Sequence, residues 1–243
     1  MKVISYSLYG VDQKYIVGAI ENAKIARRIF PEWQCIFFCG KSIDDSVLEC
    51  LRSLGAVTLR VNGAEDPSAM YWRFRIPELP QVERIIIRDT DSRLSLREKL
   101  AVDEWIMSGL PVHIMRDHIS HNSPIMGGMW GMERSIFDYF RARLSEVKVA
   151  GYYGEDQEFL TRAIYDKYRT RSCIHDSVFR REAHKQDFPS KRIGCEFIGE
   201  SFSALNEVDS DSRNKLAKVE NSKLLRKYVI IKDLIDINFR GKN

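Results

Sequence analysis

The chain has 243 residues, 44% hydrophobic and 30% charged, which suits one folded domain with a sizeable core and excludes a disordered or low-complexity protein. A formal net charge of +4 is too small to argue for nucleic acid, and no apolar run approaches the ~18 residues of a membrane span. Cys35, Cys39, Cys50, Cys173 and Cys195 are odd in number and form no tight pair, so reduced, mostly buried thiols and a cytoplasmic setting are expected.

Met1 to Ser5 runs directly into an apparent strand, Val3 to Leu8, which argues against a signal peptide. Gln13 to Phe30 has helical spacing through Ile16, Ile20 and Ala23, and Pro31 stops it. Gln34 to Cys39 reads as a short buried strand. Asp44-Asp45 opens a helix to about Leu54, with acids in its first turn and Gly55 after its end. Ala56 to Val61 reads as a strand. Asp66-Pro67-Ser68 starts a helical stretch carrying Tyr71, Trp72, Arg73 and Arg75. Glu83 to Arg88 is the fourth strand, which makes the first ninety residues a parallel, doubly wound half. In the second half, Lys99 to Met107 reads as helix, Pro111 to Met115 and the glycine-containing Ser123 to Met132 as strands, Glu133 to Leu144 and Glu155 to Tyr168 as helices, and Arg169 to Ile174 as a last strand. The expected fold class is α/β: one domain over 1–213, with halves 1–92 and 93–213 around a mostly parallel sheet, then a basic helical tail over 214–243.

The chemistry concentrates at Arg88-Asp89-Thr90-Asp91, directly after Ile85-Ile86-Ile87. An Asp-x-Asp pair at the end of a parallel strand lies where open α/β sheets bind ligands. Two hard oxygen donors there could hold Mg²⁺ or Mn²⁺ against a diphosphate. The same composition also suits a turn.

These residues resemble the DxD signature of the GT-A glycosyltransferases. The order of later motifs is similar to retaining, family-eight-type enzymes: Ile125-Met126-Gly127-Gly128-Met129-Trp130-Gly131 as a glycine strand, Asp156-Gln157 at a helix start, and His175 as a late histidine. The resemblance covers roughly residues 1 to 200. The HxxGxxKPW ending of the family-eight enzymes is absent, and His175-Asp176-Ser177, Lys185 and Lys191-Arg192 stand in that region. The resemblance implies a metal-dependent GT-A-like enzyme that spends a nucleotide-diphosphate sugar on a glycan or glycolipid, in bacterial surface-polysaccharide synthesis. It implies Asp89, Asp91 and His175 as metal ligands, and Arg73 and Arg75 near the donor nucleotide.

Asp156, with Glu155 as competitor, is the catalytic candidate: a general base for inversion, or in the retaining scheme a contact to the donor sugar. Acids in a first helical turn also simply cap a helix. Trp130 could stack on a sugar ring or pack in a buried strand. Lys185 and Lys191 could close over the donor and exclude water, or form a solvated basic face. His118 and His121 suit a loop over the site, and His184 is a weaker candidate. Arg93 and Arg97 could pair with Glu98 and Asp103. Between Lys215 and Asn243 eight basic residues face three acids among apolar pairs, which suits an anionic membrane at its inner face or a packed helix. The alternatives are a nucleotidyltransferase that makes a nucleotide sugar, disfavoured by the sparse glycine and lysine after the first strand, and a non-catalytic carbohydrate-binding protein.

Overall fold

A computed structural model describes residues 1–240, so 241–243 of the expected tail lie outside the described residues. Its elements are β1 (Lys2–Leu8), α1 (Gln13–Ile29), β2 (Trp33–Cys39), α2 (Asp45–Ser53), β3 (Val57–Arg60), a 3-10 stretch Pro67–Glu78, β4 (Arg84–Arg88), α3 (Leu96–Ser108), β5 (Val112–Arg116), β6 (Met129–Glu133), α4 (Phe137–Ser145), α5 (Glu155–Leu160), a π turn Thr161–Tyr165, α6 (Asp166–Tyr168), β7 (Ser172–Asp176), α7 (Ser210–Glu220) and α8 (Lys223–Arg240).

The helices begin where side chains satisfy free amides. Asp12 accepts from the Lys14 N–H at 3.0 Å to open α1, and Ser95 accepts from the Glu98 N–H at 3.2 Å to open α3. Gly109, at φ 65°, ends α3 in a left-handed cap.

The strands form one sheet in the order β3-β2-β1-β4-β6-β5-β7. The first four are parallel, as the βαβ spacing predicts. β6 departs from that pattern: it runs antiparallel to both β4 and β5, while β5 and β7 are parallel. The expected strand from Ser123 starts only at Met129, because the residues before it form turns, with Met126, Gly127 and Gly128 lining the cavity described below. Gly131 makes the close packing possible, since a Cβ there would stand 2.6 Å from the Ile85 carbonyl oxygen. β7 starts at Ser172 and runs through His175, so this histidine lies within the sheet. Two apolar layers cover the faces. Phe74, Trp130, Phe140 and Phe159 lie on one side, and Phe30, Trp33 and Trp105 under α1, α2 and α3 on the other. β4 pairs across the line near residue 92, so both halves share one sheet.

Candidate active site

β4 ends at Arg88 and delivers Asp89, Thr90 and Asp91 at the C-terminal edge of the parallel strands. The turn is tied by the Ser92 hydroxyl, which donates to the Asp89 carbonyl at 2.9 Å. α1 then holds it from behind. The Asn22 amide donates to the carbonyls of Thr90 (3.2 Å) and Ser92 (2.7 Å), and its oxygen accepts from the Leu94 N–H at 3.0 Å. One turn earlier, Gly18 lies so close that any Cβ would overlap the Thr90 carbonyl. Gly18→Ala must therefore displace either the helix or the turn. We expect a loss of about 1–3 kcal/mol, the usual cost of overpacking, which thermal melting of the variant checks.

Arg73 joins the carboxylates. Its main chain is fixed to β1, with its carbonyl accepting from the Ser5 hydroxyl at 2.7 Å and its N–H donating to the Ser7 hydroxyl at 3.0 Å. Its buried guanidinium forks, one nitrogen meeting Asp89 and the other Asp156 at 2.8 Å. Gly127 and Gly128 press against the same two acids, and side chains there would collide with Asp156 and Asp89 respectively. Asp91 accepts from the Ser201 hydroxyl at 3.0 Å and stands 3.7 Å from the Lys14 ammonium. Burial, then the neighbouring Asp89 charge, pushes the Asp91 carboxyl up. Burial also raises Asp156, against the pull of Arg73.

Asp89, Asp91, Arg73 and Asp156 line one cavity of about 490 Å³, together with Tyr9 and Tyr153. Tyr153 is 93% exposed at its mouth. The loop that carries it turns through Gly151 and Gly154, at φ 82° and 87°.

Other expected residues lie elsewhere. Glu155 turns away and staples that loop, accepting from the N–H groups of Ala150 (2.6 Å) and Gly151 (2.8 Å). Arg75 meets Glu78 at 3.1 Å on the surface, because at three residues per turn two residues i and i+2 cannot share a face. Trp130 is fully buried, edge-on to Phe74 and Phe140; alternation along β6 sends Met129 to the cavity and Trp130 to the opposite core. His175 is separate from the cavity, between His113 and Glu104. Lys185 is held by the Asp176 carbonyl (2.9 Å) and Asp187 (2.7 Å), and Lys191 is exposed outside the cavity. The late basic region is anchored: Arg192 meets Asp117 at 2.6 Å.

Arg97 also binds Asp117, at 2.9 Å. Arg93 donates to the Ser92 carbonyl at 3.0 Å. Their expected acidic partners are taken, Glu98 by Arg88 and Asp103 by Lys99. His121 does reach the cavity wall, but its Nδ1 accepts two backbone N–H groups of its own loop, and burial holds its pKa down at about 3. His118 is occupied by Ser120 and the Ser212 carbonyl, and His184 by the Arg169 carbonyl. Gly18, Asn22, Ser201 and Tyr153 were not anticipated. Gly18 and Asn22, four apart on the inner face of a predicted helix, carried the one sequence signal: a glycine and an amide where apolar residues belong.

No protein-family model matches the chain, and no curated protein matches it significantly. Solved structures do match. Residues 1–349 of S. aureus TarS align at 14% identity over 73% of this chain and 58% of that one, with a TM-score of 0.50. The chain thus spans less than two thirds of that structure. Glucosyl-3-phosphoglycerate synthase from Mycobacterium tuberculosis, in complex with uridine diphosphate, aligns at 14% identity over 76% of this chain and 73% of that one (TM-score 0.45). A glycosyltransferase involved in glycosylation of the major capsid of PBCV-1 aligns at 13% identity over 73% and 82% (TM-score 0.47). Likeness at these identities is likeness of fold, and the fold is a single GT-A-like α/β domain.

Proposed function

We propose that the chain is a metal-dependent glycosyltransferase that moves a sugar from a nucleotide-diphosphate sugar to a glycan or glycolipid acceptor in bacterial surface-polysaccharide synthesis. The observation that carries this reading is the convergence of Asp89, Asp91, Arg73 and Asp156 on one cavity at the C-terminal edge of the sheet. The donor set fits Mn²⁺ or Mg²⁺: two carboxylates and the Ser201 hydroxyl are hard oxygen ligands. Burial, then the neighbouring Asp89 charge, raises the Asp91 carboxyl, and a cation bound there would offset both. When bound, the metal neutralises the diphosphate and favours departure of the nucleoside diphosphate.

The chain's own groups do the rest. Arg73 brings a fixed positive charge to the same wall. Gly127 and Gly128 leave room for the Asp156 and Asp89 carboxylates at the cavity wall. Asp156 receives the proton of the acceptor hydroxyl, and its upward shift makes it a stronger base than an ordinary carboxylate. Removing this base by Asp156→Asn is expected to lower kcat by about 10²–10⁴. In the parent protein, kcat/KM falls as pH drops through the raised Asp156 value, so the acid limb lies above the ordinary carboxylate range. A pH–rate profile checks this, and NMR of the first product anomer separates inversion from retention.

The deciding experiment is a thermal-shift panel of nucleotide sugars with and without Mn²⁺, since a ligand of the folded state raises apparent stability. Stabilisation that needs both nucleotide sugar and metal supports the transferase. Stabilisation by a nucleoside triphosphate with a sugar phosphate, and not by the sugar nucleotide, indicates nucleotidyl transfer. Glycan binding without nucleotide dependence indicates a carbohydrate-binding protein.

The proposed acceptor side is a membrane reached from the cytoplasm. α8 exposes Leu224, Tyr228, Ile231 and Ile235 along one stripe, flanked by Lys223, Arg226, Lys227 and Lys232, the pattern of an interfacial helix. No helix among the described residues is long and apolar enough to cross a membrane. Replacing Leu224, Tyr228 and Ile231 with serine is expected to abolish co-sedimentation with phosphatidylserine vesicles and leave the fold intact. Unchanged co-sedimentation removes the membrane contact.

A further inference from the structure

We propose a second metal site, for zinc, buried between β5 and β7 and formed by His113, Cys173 and His175. It does not depend on the glycosyltransferase reading. In the β5–β7 register His113 faces Cys173, and His175 follows two residues later on the same face of the sheet. All three side chains are buried, at 0%, 1% and 0% exposure. His113 Nε2 stands 2.9 Å from His175 Nδ1, and Cys173 Sγ stands 3.9 Å from that Nδ1. The three donor atoms lie within 4.8 Å of one another. α3 covers them, with the Trp105 ring stacked on His113 at 5.3 Å.

A second observation points to a ligand. His175 Nε2 lies 2.9 Å from the Glu104 carboxylate. A carboxylate behind an imidazole fixes its tautomer and ring orientation, as it does behind metal-ligating histidines. With that proton on Nε2, His175 Nδ1 presents a lone pair towards His113 and Cys173. Without metal, His113 must then donate from Nε2, which leaves its Nδ1 as a buried acceptor. Among the described residues that atom has no hydrogen-bond partner.

Zinc would replace the contact between the two rings: the His113 proton shifts to Nδ1, the Cys173 thiol releases its proton to solvent, and two imidazole lone pairs and a thiolate converge on the ion. The Gln186 amide, which donates to the Cys173 sulfur at 3.2 Å, supports the thiolate. Zn²⁺, the thiolate and Glu104 sum to zero charge, and a water completes a tetrahedral site. Two imidazoles and one thiolate select zinc over the hard ions that suit Asp89 and Asp91. The Glu104 side chain, 36% exposed, links the buried cluster to the surface. Because β7 is the last strand of the sheet, paired with β5 and bridged beyond it at His175–Gln186, the site would tie the sheet edge to its neighbour.

The test is metal analysis of the full chain, loaded with excess ZnCl₂ and then desalted. About one zinc per chain is expected to remain, held by the three protein ligands. Cys173→Ser should lower retention at least about tenfold while keeping its circular-dichroism spectrum, since second-shell losses alone already cost that much. Asp89→Asn with Asp91→Asn should leave zinc retention unchanged. With CoCl₂ as probe, the wild type should show a thiolate-to-cobalt charge-transfer band that Cys173→Ser lacks. Wild-type retention below about a tenth of an ion per chain, against the tight binding of such sites, overturns the proposal. So does loss of the retained zinc in the Asp89/Asp91 variant, or a cobalt band that survives Cys173→Ser.

Discussion

Asp91→Asn is expected to lower metal-dependent sugar transfer about a thousandfold and yet raise the melting temperature of the metal-free protein. The first effect follows, on the proposed function, from removing half of the proposed two-carboxylate cation site. A bound metal supplies several kcal/mol of charge stabilisation to the transition state, and three decades of rate correspond to about 4 kcal/mol. The second follows from the folded-state environment of the carboxylate. Its side chain is only 19% exposed, and burial together with Asp89 raises its pKa. A carboxyl whose folded pKa exceeds its unfolded value binds its proton more tightly when folded. Stability therefore falls as pH rises from the ordinary carboxylate range through the raised value. Asparagine escapes this cost at neutral pH and still accepts from Ser201. The Lys14 contact it gives up is partly solvated and contributes little. The expected gain is about 2–4 °C, the shift produced by ~1 kcal/mol in a domain of this size. The gain disappears under acid conditions. Excess Mn²⁺ reverses the order, because only the wild type gains binding energy. Differential scanning fluorimetry at neutral and acid pH, with and without Mn²⁺, measures all three. A variant less stable than wild type in metal-free neutral buffer refutes this account of burial and neighbouring charge.

Arg73→Met is expected to destabilise the protein by about 3–5 kcal/mol, because it leaves charge buried without its partner. Arg73 neutralises two carboxylates at once, with Asp156 almost fully enclosed. Arg73→Lys keeps the charge but cannot fork to two acceptors, so it recovers only part of the loss. The double variant Arg73→Met with Asp156→Asn should be more stable than Arg73→Met alone, since one orphaned charge is gone. Urea midpoints of the four proteins form a cycle whose coupling term reports the interaction directly. Additive losses would show that Arg73 acts through packing instead.

The parallel half was legible because its strands are short apolar runs bounded by helices with recognisable starts or stops, such as Pro31 after α1 and Asp44-Asp45 at the start of α2. The direction of β6 was not. An antiparallel neighbour in a sheet buried on both faces has the same apolar content as a parallel one, and Met129–Glu133 carries no mark of its orientation. Asp89, Asp91 and Asp156 could be marked from their positions at a strand end and a helix start. Arg73 could be named, but its bridging role depends on a 3-10 stretch that local sequence does not announce. Trp130 and His175 were assigned to ligands because rings and imidazoles often serve that way. Both lie in regular strands, where the two-residue alternation decides which face they take, and a boundary error of a few residues reverses the answer. The support behind Thr90 was hidden for a different reason: Gly18 and Asn22 act on main-chain carbonyls, which leave no partner to recognise in the sequence.

β6 fills the open side of β4 with residues that follow β5 in the chain. A nascent chain that has emerged only as far as β5 therefore presents Ile85, Ile86 and Ile87 with one row of backbone groups unpaired. Such an edge invites pairing with another chain. Fragments that end before Met129 should consequently self-associate, and the central sheet closes late in synthesis, through contacts distant in sequence that slow folding.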